Sequence, residues 1–319
     1  MNRFSYNSSP TLRFSLQSFE EHRRTIVLTP LSAKDELRLQ WDALINRTYG
    51  MLVLAGYSVG KRDLATLLTR PRGKRARGET LSLIFGIRDT WSEIRQTWLV
   101  TTRPISFLAV ETLTKLVFPK ELGLYARGLK THEAEIRSLL DYVSQGREHP
   151  MIAAMIGLVG TVSINPFDRD STILGCLLAH LILSARGCDV RGLLNIEVPW
   201  SHDKETFVSV TRQAAVSGNY TPWLEYAAQT AVSHLEEIRK TITEENPHHE
   251  LPAAIFALND RQRRVLSLLE EPNRKIANKD VQKGFRVSQI TASRDLSKLA
   301  HLGLLYPHGR GRSVYYTRV

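Results

Sequence analysis

The chain has 319 residues, 42% of them hydrophobic and 24% charged. These are ordinary values for a soluble globular protein of one large or two ordinary domains, and they exclude disordered, collagen-like and repeat architectures. The formal net charge is +11, but it is uneven: Ile255–Val319 holds 13 Lys+Arg against 5 Asp+Glu, a local charge of +8, and everything before it carries only +3. A basic segment joined to a near-neutral body is the composition expected of a polyanion-binding module.

Residues 1 to 30 show no clear period and are rich in Ser, Asn and Phe, so an N-terminal tail or loosely packed arm is expected. Met1–Pro10 lacks the apolar stretch of a signal peptide, and the longest apolar run, Met151–Ile164, is too short to span a bilayer. A cytoplasmic protein with no membrane partner is therefore expected, nucleoid-associated if it binds DNA. From Ser32 the pattern turns helical. Helices are predicted over Asp35–Ile45, Leu64–Leu68, Asp89–Trp98 and Ile105–Leu116, making a helical region over 31–130. The basic loop Arg70–Gly78 between two of them reads as a solvated connection, or alternatively as an additional phosphate contact.

A core over 131–245 follows, with helices predicted at His132–Val143, Pro150–Ser163, Ser171–Ala185, Glu205–Ser217 and Trp223–Thr243. The two central helices are strongly apolar, are joined by Asn165–Asp170, and the second ends at Gly187, where a glycine cap is expected. Cys176 and Cys188 lie in or just beyond that apolar stretch and fit buried thiols better than a disulfide framework or a metal site. His132, His149, His180, His202, His248 and His249 show no metal-ligand spacing, so neither metal nor cofactor is expected. Residues 246–254, rich in Pro and His, make a linker. Hardly any strand pattern appears before it.

Residues 255–319 read as a separate module. Helices are predicted over Arg261–Glu270, from Asn278, and from Ser288, with Ile290, Leu296 and Leu299 on the buried face of the third. That third helix then offers Ser288, Gln289, Thr291, Ala292, Ser293, Arg294 and Lys298 to a partner. Two short strands, Leu304–Pro307 and Ser313–Thr317, flank a glycine turn carrying Arg310 and Arg312. Thr291-Ala-Ser-Arg-Asp-Leu296, then Leu299, Gly303-Leu-Leu305 and Gly309–Arg312, resembles the winged-helix domains of bacterial transcriptional regulators. The resemblance implies that the third helix enters the major groove of double-stranded DNA and that the wing meets phosphate or the minor groove. A winged helix used only for protein contact is the alternative; the local charge favours DNA.

The body resembles the Fic domain, whose members transfer AMP or related groups from nucleotides to protein hydroxyls. The resemblance rests on His149-Pro150 opening an apolar helix, on Ile164-Asn-Pro-Phe167, on Leu174-Gly-Cys-Leu-Leu178 with Leu181–Leu183, and on Thr221-Pro-Trp-Leu-Glu225. It implies a mainly α fold, an all-helical Fic-like body followed by a small C-terminal winged helix with a β-hairpin wing. A plain buried helical hairpin at 150–187 is the competing reading.

Active members carry His-Pro-Phe-x-(Asp/Glu)-Gly-Asn-Gly-Arg-x-x-Arg. The histidine is the general base, the acidic residue holds magnesium, the glycine loop cradles phosphates and the arginines clamp them. Here the match departs at nearly every chemical position. Asn165 stands for the base, and an amide cannot take a proton near neutral pH. Arg169 stands for the metal carboxylate. Asp170, Ser171 and Thr172 replace the glycine loop, and Ile173 and Cys176 replace the arginines. Only Pro166 and Phe167 remain. Asp168, Asp170 and Ser171 are expected to cap the following helix with the protein's own groups, where a phosphate would otherwise sit. The inhibitory motif that many members carry, (Ser/Thr)-x-x-x-Glu-(Gly/Asn), is matched best by Met51-Leu-Val-Leu-Ala55-Gly56, with neither the hydroxyl nor the glutamate.

The expectation is a DNA-binding transcriptional regulator and homodimer, with a catalytically inactive body for dimerisation or for a protein or small-molecule effector. A Fic-type nucleotidyl or phosphoryl transferase with an atypical site is the alternative. A toxin–antitoxin or mobile-element component remains compatible with DNA binding.

Overall fold

The computed structural model describes residues 4–69, 79–98, 104–119, 122–243, 258–269, 274–301, 304–308 and 314–318. They group into two compact units, one holding most of the chain up to residue 243 and one the C-terminal residues. The basic loop 70–78, the linker 246–254 and the wing residues Arg310 and Arg312 lie outside the described residues.

The body is all-helical among its described residues apart from one isolated bridge, Ser5 to Asn219. Its helices are α1 (Pro10–Leu28), α2 (Ala33–Leu54), α3 (Lys61–Leu68), α4 (Glu79–Thr97), α5 (Phe107–Val117), α6 (Leu122–Thr131), α7 (Glu133–Ser144), α8 (Pro150–Ile164), α9 (Ser171–Ala185), α10 (Glu197–His202), α11 (Lys204–Ser217) and α12 (Thr221–Thr243). The N-terminal residues depart from the expected loose arm. The Ser9 hydroxyl accepts from the Leu12 N–H at 3.1 Å and Pro10 occupies the first turn, a strong start signal. Leu12, Phe19 and Ile26 are then buried at two-turn spacings, and α1 packs along α12. Helices α6 and α10 are not among the elements predicted from the sequence.

At the centre, α8 and α9 are buried over nearly their whole length. Glycines let them approach: a Cβ on Gly175 would stand 2.9 Å from the Leu158 carbonyl oxygen. His149 starts α8, its Nδ1 accepting from the Met151 N–H at 3.2 Å. Trp223 of α12 donates its indole N–H to the Met155 carbonyl at 3.0 Å. The core also encloses charge. Arg47 of α2 is fully buried, donates to the carbonyls of Gly192 and Leu194, and stacks 3.5 Å above the Trp91 ring. His180 meets Glu197 at 2.6 Å, both buried. Burial pulls the Arg47 guanidinium down to about 10. Burial alone would raise the Glu197 carboxyl, but His180 and Arg47 outweigh it and hold it below its ordinary value. His180 thus serves the core as the hydrogen-bond partner of Glu197. Cys176 and Cys188 are free and buried.

The C-terminal unit is a small winged domain with, among its described residues, three helices and a sheet: α13 (Asp260–Leu268), α14 (Asn278–Phe285) and α15 (Gln289–His301), with β1 (Ile276–Ala277), β2 (Leu305–His308) and β3 (Tyr315–Arg318) in the antiparallel order β1-β3-β2. The short strand β1 has no sequence counterpart among the expected elements. Val265, Val281, Ala292, Leu296, Leu299 and Leu305 form its core with Ile276 and Leu269. No described helix in the chain is long and apolar enough to cross a membrane.

Candidate functional sites

The connection between α8 and α9 is built as a closed turn. Asn165 ends α8 in the left-handed region (φ 55°, ψ 51°), its N–H bonded to the Thr161 carbonyl. Asparagine tolerates that conformation better than most residues, which gives the amide side chain a reason to be there independent of chemistry. Pro166 and Phe167 turn inward and are buried. A single 3-10 turn, Asp168–Asp170, runs straight into α9, with Asp168 again at positive φ (48°).

Sequence reasoning placed Asp170 as a cap on α9, and the structure corrects this. The Asp170 side chain makes no capping bond. Instead its Oδ1 accepts from the Tyr57 hydroxyl at 2.9 Å and its Oδ2 from the Tyr125 hydroxyl at 2.7 Å. The N–H groups of Asp170 and Ser171, which at an open helix start would face an anion, are bonded to carbonyls of Phe167, Asp168 and Arg169. The Ser171 hydroxyl, also expected as a cap, accepts from the Phe167 N–H at 2.9 Å. Asp168 is exposed.

An aromatic cluster holds this turn from outside. Tyr125 stacks on Phe118 with centroids 3.9 Å apart, and both meet the Phe167 ring edge-on. Gly128 of α6 is the point of closest approach: a Cβ there would stand 2.5 Å from the Pro166 carbonyl oxygen. Arg169 lies with its guanidinium 4.0 Å above the Tyr57 ring. Ile173 and Cys176 are fully buried.

The segment matched to the inhibitory motif adjoins this loop. Met51 is buried on α2 and Ala55 is buried just beyond its end, and the chain turns at Gly56 (φ +84°), where the Tyr57 N–H returns to the Leu52 carbonyl at 2.8 Å. The Lys204 ammonium caps the same helix end through the Val53 carbonyl at 3.0 Å. Tyr57, two residues beyond Ala55, is the side chain that crosses to Asp170. Sequence reasoning missed Tyr57, Tyr125, Phe118 and Gly128. No local motif marks them, because each acts on a loop dozens of residues away.

Among the described residues no group of three or more His, Cys, Asp or Glu side chains gathers to hold a metal ion.

The second site is the face of α15. Ser288 starts the helix, its hydroxyl accepting from the Thr291 N–H at 3.2 Å and meeting the Thr291 hydroxyl at 2.9 Å. Thr291 is half-buried beside it. Ala292, Leu296 and Leu299 point into the core, which corrects two sequence assignments at once. Ala292, expected at the surface, is fully buried, and Ile290, expected in the core, is 65% exposed. The reason is the helical period: with Leu296 and Leu299 inward, the inward residue one turn earlier is 292 and not 290. Gln289, Ser293 and Arg294 are exposed, and Lys298 is half-buried.

Two contacts fix how this face is presented. Asn278 of α14 donates to the Gln289 carbonyl at 3.2 Å. Asp295, 4% exposed, receives Arg261 Nε at 2.5 Å and Gln262 Nε2 at 2.7 Å, tying α15 to α13. Burial alone would raise the Asp295 carboxyl, but the bonds from Arg261 and Gln262 outweigh it and hold it below the usual aspartate range. A carboxylate depressed on folding stabilises the fold above its unfolded pKa of about 3.9, and that contribution disappears as pH falls through the lower, folded value. Asp295→Ala is therefore expected to cost the winged domain roughly 2–3 kcal/mol near neutral pH, by stranding two donors. In unfolding experiments the gap between this variant and the parent narrows on acidification below about pH 4; a gap that is constant with pH argues against the ion pair.

No family model matches the chain, and no curated protein aligns with it. Among solved structures, the crystal structure of a Fic family protein from Desulfovibrio desulfuricans G20 at 2.70 Å resolution superposes with a TM-score of 0.60, at 15% identity, over 99% of this chain and 98% of that one. The fold is Fic-like. At that identity the likeness concerns architecture, and the residues of the α8–α9 turn must be judged on their own chemistry.

Proposed function

We propose that the chain is a DNA-binding transcriptional regulator whose Fic-like body is catalytically silent and serves dimerisation or the binding of a protein or small-molecule effector. The observation that carries this reading is the presentation of Gln289, Ser293 and Arg294 on one exposed face of a capped helix, anchored from behind by Ala292, Leu296, Leu299 and the Asp295 bridge, within the most basic part of the chain. Small polar residues beside an arginine let a helix backbone approach base edges while the guanidinium reaches guanine or phosphate. Arg310 and Arg312 lie in sequence between β2 and β3, the place from which a wing would reach the DNA backbone. Two copies related by a two-fold axis would present two such helices to a palindromic site.

The same reading holds the body inactive, because its loop does not fit magnesium or a nucleotide phosphate. Arg169 is a cation at the position of the metal carboxylate and lies over Tyr57. Asp170 brings a negative charge to the phosphate position, secured by Tyr57 and Tyr125. Ile173 and Cys176 offer no guanidinium, and Asn165 offers no base.

The test of DNA binding is retention of specific duplexes from a random pool by the full-length protein, with affinity that falls steeply as salt rises; a protein that retains no sequence above background is not a sequence-specific regulator. For the body, incubation with radiolabelled ATP and lysate is expected to give the same pattern for the parent and Asn165→Ala. A labelled band that depends on Asn165 restores the transferase alternative.

A further inference from the structure

Ile290 is an anomaly on α15. It is 65% exposed in the first turn of the helix, on a face otherwise made of Gln289, Ser293 and Arg294. The helix cannot rotate to hide it, because Ala292, Leu296 and Leu299 are fully buried and Asp295 is tied to α13. Ile290 is four residues before Arg294 and three before Ser293, so the three side chains are neighbours on the helix surface. A β-branched side chain here is stiff and presents a fixed apolar surface. In the major groove one base carries an apolar group of matching size, the 5-methyl group of thymine.

Resting on the DNA-binding reading, we propose that Ile290 is a specificity-determining residue that packs against a thymine 5-methyl group in the major groove, beside the contacts of Arg294 and Gln289. The residue discriminates thymine from cytosine at one position of each half-site without a hydrogen bond.

The experiment uses the full-length protein and a duplex it selects from a random pool. Each thymine of that duplex is replaced in turn by deoxyuridine, which keeps the base-pairing edge and removes only the methyl group. At one position per half-site the parent is expected to bind about fourfold more weakly, the effect of uncovering one methyl-sized group. Ile290→Ala is expected to bind the thymine duplex with a similar loss and to show no further loss on the deoxyuridine duplex. Because Ile290 is exposed, Ile290→Ala should unfold at the same temperature as the parent, which separates a lost contact from a lost fold. If every deoxyuridine duplex binds the parent as well as the thymine duplex, or if Ile290→Ala keeps the parent's sensitivity, the assignment is overturned while DNA binding stands. If no duplex is selected, the DNA-binding reading falls and this one with it.

Discussion

Changing Arg294, Arg310 and Arg312 together to alanine is expected to weaken specific DNA binding by roughly 100-fold or more at physiological salt, the summed effect of three charged contacts of about 1–3 kcal/mol each. The loss has a second signature. Each phosphate contact removed lowers the slope of log affinity against log salt by about one, so the triple variant should be both weaker and less salt-sensitive. Arg294 is exposed and forms no part of the winged-domain core, so Arg294→Ala alone should keep the parent's circular dichroism and unfolding temperature. It should also lose discrimination at the base it reads more than general affinity, whereas the wing substitutions should weaken all duplexes alike. A triple variant that binds its selected duplex within threefold of the parent removes the basis for the DNA-binding reading.

Asp170→Ala carries the second large effect, in the body. The carboxylate is 5% exposed and receives both the Tyr57 and the Tyr125 hydroxyls. Truncating it strands both donors, one of them on a tyrosine that is itself buried, and opens a small void between α6 and the start of α9. A stranded donor costs about 1–3 kcal/mol, so a loss of roughly 2–5 kcal/mol is expected, enough to lower the unfolding temperature of a body of this size by about 5–15 °C. The reverse substitutions differ in kind. Tyr57→Phe combined with Tyr125→Phe removes both tyrosine hydroxyls from the buried carboxylate without opening a void, so the double variant should also lose stability. Asp170→Ala with an unchanged unfolding temperature would mean that the two tyrosines do not clamp this residue.

On the proposed reading of a silent body, Asn165→His alone is expected to confer no transfer activity. Asn165→His supplies a base at the end of α8, but Asp170 still occupies the loop through Tyr57 and Tyr125, and Ile173 and Cys176 remain buried hydrophobic positions on α9.

Much of this molecule is legible in its sequence wherever the determining interactions are local. The apolar runs at 150–164 and 171–185 announce two central helices because a helix that is hydrophobic all round must be buried. His149-Pro150 and Ser288 each mark a helix start by supplying an acceptor for free N–H groups. That residue 165 is an amide where the Fic resemblance would need a base is likewise a property of the sequence, since no fold turns an asparagine into a proton acceptor. Local pattern fails where burial depends on a distant partner. Helix α1 is weakly amphipathic and becomes a helix of the body by packing on α12. Helix α6 is not among the predicted elements, yet it delivers Tyr125 and Gly128 to a loop some 40 residues on.

The sequence by itself determined the basic C-terminal module and the helical body, because charge and helical period are carried one position at a time. The tertiary structure decided which side of α15 faces outward and what Asp170 does. Exchanging Ile290 and Ala292 between core and surface is a rotation that composition cannot specify, and only the packing of Leu296, Leu299 and the Asp295 bridge against α13 sets it. A carboxylate at a helix start reads as a cap until two tyrosines, 113 and 45 residues away in sequence, take both its oxygens.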